Sequence, residues 1–538
     1  MKHISIPVAL LFSILVASAN ANAKPNIILI ITDDQSWDTL GFMDGKVLTP
    51  RIDQMAREGL YLTNFNVTST VCSPSRYSFL TGRFAGRCEG RAFLAEHPPG
   101  DQTQVENIGE LEAEGWNLAR ILQADGYQTG FIGKSHIVRH DWLHTGKSNH
   151  GDENPMETYP QDADPRDPEI NAKMQRNHQR WCDEIKKHGF DFADGVYAAN
   201  LKELHCDALN VHNLDWTVAK AFDFLENAEQ EKERPFFLYF STTLHHGPAP
   251  WANRFSLDAD PRMTGEGFVA EGFDVLPSRA DVLRRNREAG FDDRQAFALW
   301  LDDGVGAILD KVAELDLDEE TLVMFVPDHG SYRHGKATLH EFGMRVPMLI
   351  RWPGTIKPAS RYEEITANID ILPTLLDLCE IDKPENHLVD GLSFKPALFG
   401  DRKPIREFLF AELGHSRAVK TKDWKYIAIR YPADVQQKID DGVAFKGFNG
   451  ETLQFPYLTR NGHLGHHAAA KNPNYFASDQ LYDLRKDPTE ISNIYSENNE
   501  TLDGMRERLR SALAKFPNRP FGDLRYEDSS RIDAAPVQ

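Results

Sequence analysis

Positive charge is scarce in this chain of 538 residues: 60 Lys and Arg stand against 81 Asp and Glu, a formal charge of −21. That excludes a general nucleic-acid or polyanion surface, so any anion must be held in a local basic pocket. Long apolar runs are also missing. The one near the start, Val8 to Ala17, is too short to cross a bilayer. No later stretch could span one, and no cysteine follows the run to carry a lipid, so no membrane anchor is expected. Lys2 and His3 before the run and Ala21-Asn22-Ala23 after it read as a secretory signal of residues 1–23. The mature chain is expected to begin near Lys24 and to work outside the cytoplasm, in the periplasm or secreted. There is no low-complexity tract and no internal repeat. Cysteines number five: Cys72, Cys88, Cys182, Cys206 and Cys379. An odd count in an exported chain leaves one thiol outside any set of bridges. With Cys72 set aside, Cys182 to Cys206 is the first pairing to test.

What is present is ordinary globular composition, 41% hydrophobic and 26% charged, at a length that favours two domains. Four short apolar runs share one design. Asn26 to Thr32 ends in Asp33-Asp34, and Thr129 to Gly133 ends in Lys134-Ser135-His136. Phe236 to Ser241 runs toward His245-His246, and Thr321 to Val326 ends in Asp328-His329. Continuous β-branched and aromatic runs suit strands covered on both faces. Amphipathic stretches lie between them, at Pro50 to Glu58, Leu118 to Ala124, Trp216 to Glu226 and Leu299 to Leu315. This alternation predicts an α/β fold: a large mixed, mostly parallel sheet flanked by helices. Ligands in such sheets bind beyond the carboxyl ends of the strands, where all four polar clusters fall. Past Gly400 the segments become shorter and more strand-like, and one late helix spans about Thr501 to Lys515. Residues 24–400 are read as the main domain and 401–538 as a smaller α+β domain with an antiparallel sheet. Two stretches, 139–182 and 432–477, read as long irregular insertions.

The densest local pattern is Val71-Cys72-Ser73-Pro74-Ser75-Arg76, followed by Thr81-Gly82. Pro74 suits a first helical turn, where its missing N–H costs nothing. Cys72 would then sit at a helix N-terminus, where free N–H groups and the helix dipole favour an anion. Arg76 adds a permanent cation one turn on. Asp33-Asp34 and Asp328 together could supply three carboxylates to one hard divalent cation, calcium or magnesium rather than zinc. His329 is a less usual ligand for calcium and leaves the metal open.

The Cys72 stretch resembles the activation motif of the sulfatase family, a formylglycine-dependent branch of the alkaline phosphatase superfamily. The resemblance covers nearly the whole mature chain and keeps the family order. It includes Pro25-Asn26-Ile27 leading to Asp33-Asp34, Gly126-Tyr127-Gln128-Thr129, Gly133-Lys134-Ser135-His136 and His246-Gly247-Pro248. It continues through Asp328-His329-Gly330, Gly335-Lys336 and Arg345-Val346-Pro347. It closes on Leu481 to Leu484 with Asp487-Pro488-Thr489-Glu490. Ser135 stands where the family more often has Trp, and Pro327 where it has Ser. Leu244-His245 precede His246 in place of the usual Pro, and spacing to Pro248 favours His246 over His245.

The resemblance implies hydrolysis of sulfate esters. Cys72 would be converted by a formylglycine-generating enzyme to formylglycine, whose hydrate attacks sulfur. The metal, calcium ahead of magnesium, would lie among Asp33, Asp34, Asp328, His329 and residue 72. Arg76, Lys134 and Lys336 would neutralise the ester, His246 would protonate the leaving oxygen, and His136 would act as base when sulfate departs. An acidic exported chain with polar insertions suggests a sulfated carbohydrate. Arg139, His140, Trp142, Trp251 and His463 with the rest of its cluster to His467 would line sugar subsites. Two rivals are a phosphonate monoester or phosphodiester hydrolase of the same superfamily, and a non-catalytic glycan-binding protein with Cys72 unmodified.

Overall fold

The computed structural model describes residues 24–138, 156–249, 255–330, 332 and 335–524. Eight strands form the central sheet. In spatial order they are Ser360–Tyr362, Leu60–Leu62, Met348–Arg351, Thr321–Pro327, Asn26–Thr32, Phe236–Ser241, Gln128–Lys134 and Phe192–Tyr197. Only Met348–Arg351 runs against its neighbours; the other pairings are parallel.

The continuous apolar runs are explained by what lies on each face. Strand side chains alternate with period two. Ile27, Leu29 and Ile31, with Phe237, Tyr239, Leu322 and Met324, enter one core cluster. Ile28 and Ile30, with Leu238, Phe240, Val323 and Phe325, enter the opposite one. The second cluster is completed by the Leu214–Gln230 and Ala296–Glu314 helices through Val218, Phe224, Leu299 and Trp300. Both sheet faces are thus dry, as the apolar runs require.

A four-stranded antiparallel sheet follows, in the order Leu409–Leu413, Ser416–Lys420, Trp424–Ile429 and Asp479–Asp483. The Asn499–Leu513 helix packs on it through Leu502, Met505 and Leu509.

Three expectations are corrected. The stretch 139–182 is not irregular throughout, since Pro168–Lys186 is a helix. Pro168 opens it and the Asp167 side chain accepts the Glu169 and Ile170 N–H groups. Within 432–477 lie two helices, Ala433–Asp440 and Gly462–Lys471. In Pro168–Lys186 and Gly462–Lys471 the His and Asn residues, weak helix formers, hid the helical pattern. Cys182 and Cys206 are not bridged, and all five cysteines are free, buried thiols. Cys182 Sγ instead faces the His178 ring, 3.6 Å from its Nε2, and Cys206 Sγ meets the Ala163 carbonyl at 3.5 Å. The odd cysteine count therefore does not single out Cys72.

Candidate active site

Sheet order brings the polar clusters together. The strands ending at Thr32, Ser241, Lys134 and Pro327 are consecutive neighbours, so Asp33-Asp34, His245-His246, Lys134-Ser135-His136 and Asp328-His329 emerge side by side. Their exits are tied to one another. The Asp33 N–H donates to the Leu244 carbonyl and the Asp328 N–H to the Thr32 carbonyl, each at 2.8 Å. Asp34 turns in the left-handed region, φ 53°, and its N–H donates to Asp328 Oδ1 at 3.2 Å.

Into this row points the Cys72–Thr81 helix. Val71 is its extended N-cap, and Gly82, at φ 65°, ends it with its N–H on the Ser78 carbonyl. All ten helical residues are buried. A helix with no solvated face must satisfy its polar side chains internally. Ser75 Oγ donates to the Asp328 carbonyl, and Arg76 reaches Asp328 Oδ2 at 3.0 Å and Ser241 Oγ.

Cys72 Sγ lies at the centre. It is 3.4 Å from His329 Nε2, 3.4 Å from Lys336 Nζ, 3.6 Å from Asp33 Oδ1 and 3.8 Å from Lys134 Nζ. Lys134 bonds Asp33 Oδ2 at 2.5 Å and Asn200 Oδ1 at 2.8 Å, and Lys336 bonds Asp34 Oδ1 at 2.7 Å. His246 Nε2 is 3.7 Å from Asp34 Oδ2. Burial pushes the Cys72 thiol up to about 12 against the pull of Lys134 and Lys336. As cysteine, this residue is a protonated thiol at neutral pH, poor as a nucleophile. Burial also acts to raise the Asp33 carboxyl, but Lys134, His246, Arg76 and Lys336 outweigh it and hold it well below its usual range. Asp34 is held low in the same way, chiefly by Lys336, whereas burial prevails at Asp328 and raises it. Burial, then Lys134, lowers His246 to about 4.

The donor set fits a divalent ion. Ligand atoms of Asp33, Cys72, Asp328 and His329 lie within 4.8 Å of one another. His329 Nδ1 donates to the Gly330 carbonyl at 2.8 Å, which leaves the Nε2 lone pair facing Asp34 at 3.2 Å and Asp328 at 3.6 Å. Fixing a tautomer through the far ring nitrogen is how metal-binding imidazoles are oriented. Three carboxylates here face three cations, Arg76, Lys134 and Lys336. A divalent ion would leave the pocket net positive, the balance an anionic ester needs.

His136 is buried beyond Lys134, at φ 54°, with its N–H on the Ala198 carbonyl. Arg139, His140, Trp142 and Trp251 lie outside the described residues. His463 is on the Gly462–Lys471 helix, not in a loop. With His467 one turn on, it packs against Tyr332, just past the Asp328-His329 turn, at ring distances of 5.4 and 5.0 Å. Sequence reasoning missed Asn200, Ser241 and His212. Ser241 ends a strand that was recognised, so its position was a usable signal. His212 is distant in sequence and gave none. Its Nε2 donates to the His246 and Pro248 carbonyls at 3.0 and 3.1 Å, and its Nδ1 accepts from Thr243 Oγ1 at 2.8 Å.

Buried cations around Cys72, beside a cluster of carboxylates at parallel strand ends, suit a hydrolase acting on an anionic ester. Known proteins make the class specific. A family profile described as sulfatase matches residues 25–381, and one described as N-sulphoglucosamine sulphohydrolase, C-terminal, matches residues 328–441. The chain belongs to the sulfatase family and is a sulfuric ester hydrolase. It is 30% identical over 431 residues to arylsulfatase A of Bos taurus, covering 74% of this chain and 72% of that one. It is 25% identical over 503 residues to N-acetylgalactosamine-6-sulfatase of Canis lupus familiaris, covering 88% and 86%. A solved structure from work on the metabolism of multiple glycosaminoglycans by Bacteroides thetaiotaomicron has the same fold. Its TM-score is 0.61 at 21% identity, over 91% of this chain and 99% of that one. Ps i-CgsB, solved with k-i-k-neocarrahexaose, gives a TM-score of 0.57 at 20% identity, over 94% and 96%.

Proposed function

We propose that this sulfatase acts on sulfated carbohydrate outside the cytoplasm, after a maturation enzyme converts Cys72 to formylglycine, with Ca²⁺ held by Asp33, Asp34, Asp328 and His329. The observation that carries the reading is the placement of residue 72, with Lys336, Lys134 and His329 all within 3.8 Å of its sulfur. Family members use a metal ion and formylglycine, and the similar proteins include an N-acetylgalactosamine-6-sulfatase and a protein of like fold solved with k-i-k-neocarrahexaose. Among the described residues no helix is long and apolar enough to cross a membrane.

When bound, calcium supplies Lewis-acid charge at the ester, and the hydrated aldehyde supplies a nucleophilic hydroxyl. The remaining work falls to this chain. Arg76, Lys134 and Lys336 hold the three sulfate oxygens and strengthen their grip as charge builds on them. Arg76 also fixes Asp328. His246 donates a proton to the leaving sugar oxygen. The anionic ester seated beside it lessens the positive charge that disfavours imidazolium. His136 takes up a proton as sulfate departs. His212 holds the His246 backbone in place.

The test combines mass and turnover. The Cys72 peptide from the native source should be lighter than its cysteine form, and the mature enzyme should release sulfate from defined sulfated oligosaccharides. Cys72→Ala should retain sugar binding without turnover. An unmodified peptide in active enzyme, or full activity in Cys72→Ala, refutes the proposed nucleophile. Faster turnover of phosphate diesters than of sulfate esters would favour the diesterase reading.

A further inference from the structure

Beside the Cys72 helix lies a cleft of about 330 Å³ that the chemistry above does not use. Val71, Glu106 and Asn107 form one wall, and Thr459, Arg460 and Asn461 form the other. It adjoins the reacting centre. Val71 directly precedes Cys72, and Asn107 Oδ1 accepts the Ser73 N–H at 3.3 Å. The far wall is the entry to the Gly462–Lys471 helix, where the Asn461 side chain caps the Leu464 N–H. The same helix packs His463 and His467 against Tyr332.

The lining mixes apolar Val71, Ile108 and Leu464 with polar groups and carries no uncommitted cation. Arg460 turns its guanidinium to Glu96, and its N–H donates to Glu106 Oε1 at 3.0 Å. Thr459 is 5% exposed, and its hydroxyl is buried with no hydrogen-bond partner. A buried hydroxyl without a partner costs free energy that a ligand group can recover. The cationic end of the site takes the sulfate, whereas this cleft, with a hydroxyl and the Glu106 carboxyl, which burial raises to about 7, suits an uncharged polyol. Its volume is that of a small-molecule site.

We propose that this cleft is the subsite for the sugar ring bearing the ester, with Glu106 and Thr459 reading that ring's hydroxyls. The proposal rests on the carbohydrate reading above. It is tested with mature enzyme, Glu106→Gln and the near-isosteric Thr459→Val. The substrates are N-acetylgalactosamine 6-sulfate, D-glucosamine-2-N,6-O-disulfate, a sulfated carrageenan hexaose and p-nitrophenyl sulfate. A site built to bond a hydroxyl discriminates strongly once that bond is lost. Each variant should lower the ratio of kcat/KM on the sugar to that on the aryl ester by at least about tenfold, chiefly through KM. An unchanged ratio in both variants, with wild type active on sugars, overturns the subsite alone. Equal losses on sugar and aryl ester also overturn it, by showing a structural role. Wild type that cleaves the aryl ester and none of the sugars overturns the carbohydrate reading and the subsite with it.

Discussion

His245 and His246 are neighbours in sequence with opposite surroundings. His245 is enclosed, its N–H on the Asp33 carbonyl and its Nε2 without a hydrogen-bond partner. His246 keeps 22% of its side chain exposed and brings a ring nitrogen within 4.8 Å of ligand atoms of both Asp34 and Cys72. That favours His246 as the proton donor. The need for such a donor depends on the leaving group, since a sugar alkoxide is far more basic than an aryl oxide. His246→Gln should therefore lose about 10²-fold or more in kcat on sugar sulfates and much less on p-nitrophenyl sulfate. Equal losses on both would remove it from that role. Spacing to Pro248 pointed to the same residue, but the sequence held no sign of His212 behind it, because that contact is made only in the fold. His415 is a residue whose effect is on stability. Burial first, then Arg417 and Arg460, lowers it to about 4. The unfolded chain takes up the proton below about pH 6.5, so this site's contribution to stability falls as pH drops toward 4. Between pH 7 and pH 5 the loss is about 2 kcal/mol. In thermal melts, wild type should lose more Tm over that interval than His415→Leu, and parallel losses would refute the assignment.

At the scale of elements, the motif Asp487-Pro488-Thr489-Glu490 gains a physical role. Glu490 is buried, and its carboxylate accepts the Glu341 N–H and faces Lys425 Nζ at 2.9 Å. Lys425 also meets Glu341 at 2.7 Å and the Leu339 carbonyl at 3.2 Å, while Lys420 meets Glu341 at 2.8 Å. Two strands of the antiparallel sheet thereby clamp the segment that follows Lys336. The burial of four charges is tolerated because each is paired, and removing one partner strands the rest. Lys425→Met should destabilise the protein by about 3–5 kcal/mol in urea unfolding, and adding Glu490→Gln should recover part of that. A loss under about 1 kcal/mol would show that the network does not hold the segment. The same network explains why Ser416–Lys420 was not legible as a strand. Its Arg417 and Lys420 are buried against Glu412 and Glu341, so its pattern does not alternate apolar with polar. Asn26–Thr32 and Phe236–Ser241 were legible to the residue, because both faces of those strands meet apolar neighbours.

At the scale of the whole molecule, the change of texture near residue 400 marks a change of architecture rather than a break in the core. One cluster joins Val71, Phe84, Leu339 and Met344 to Leu409, Phe410, Tyr426, Leu481 and Leu509. The sequence showed both architectures but not this shared core, since strand order and long-range packing leave no local periodicity. We propose residues 24–400 and 401–538 as the two units, folding together. A shared apolar core implies one cooperative transition. A chain ending at residue 400 would expose Phe84, Leu339 and Met344 and should not remain soluble. The proposed metal site would couple to the same transition, because its three strand-end carboxylates, Asp33, Asp34 and Asp328, are assembled only in the folded chain. Ca²⁺ at about 100 times its Kd should add about 2.7 kcal/mol of stability, and chelation should remove it. Calorimetry with and without Ca²⁺ reads both claims at once. A single peak that rises with Ca²⁺ is expected. Two resolved peaks would separate the units, and a peak indifferent to Ca²⁺ and to chelation would mean that Arg76, Lys134 and Lys336 alone balance the carboxylates.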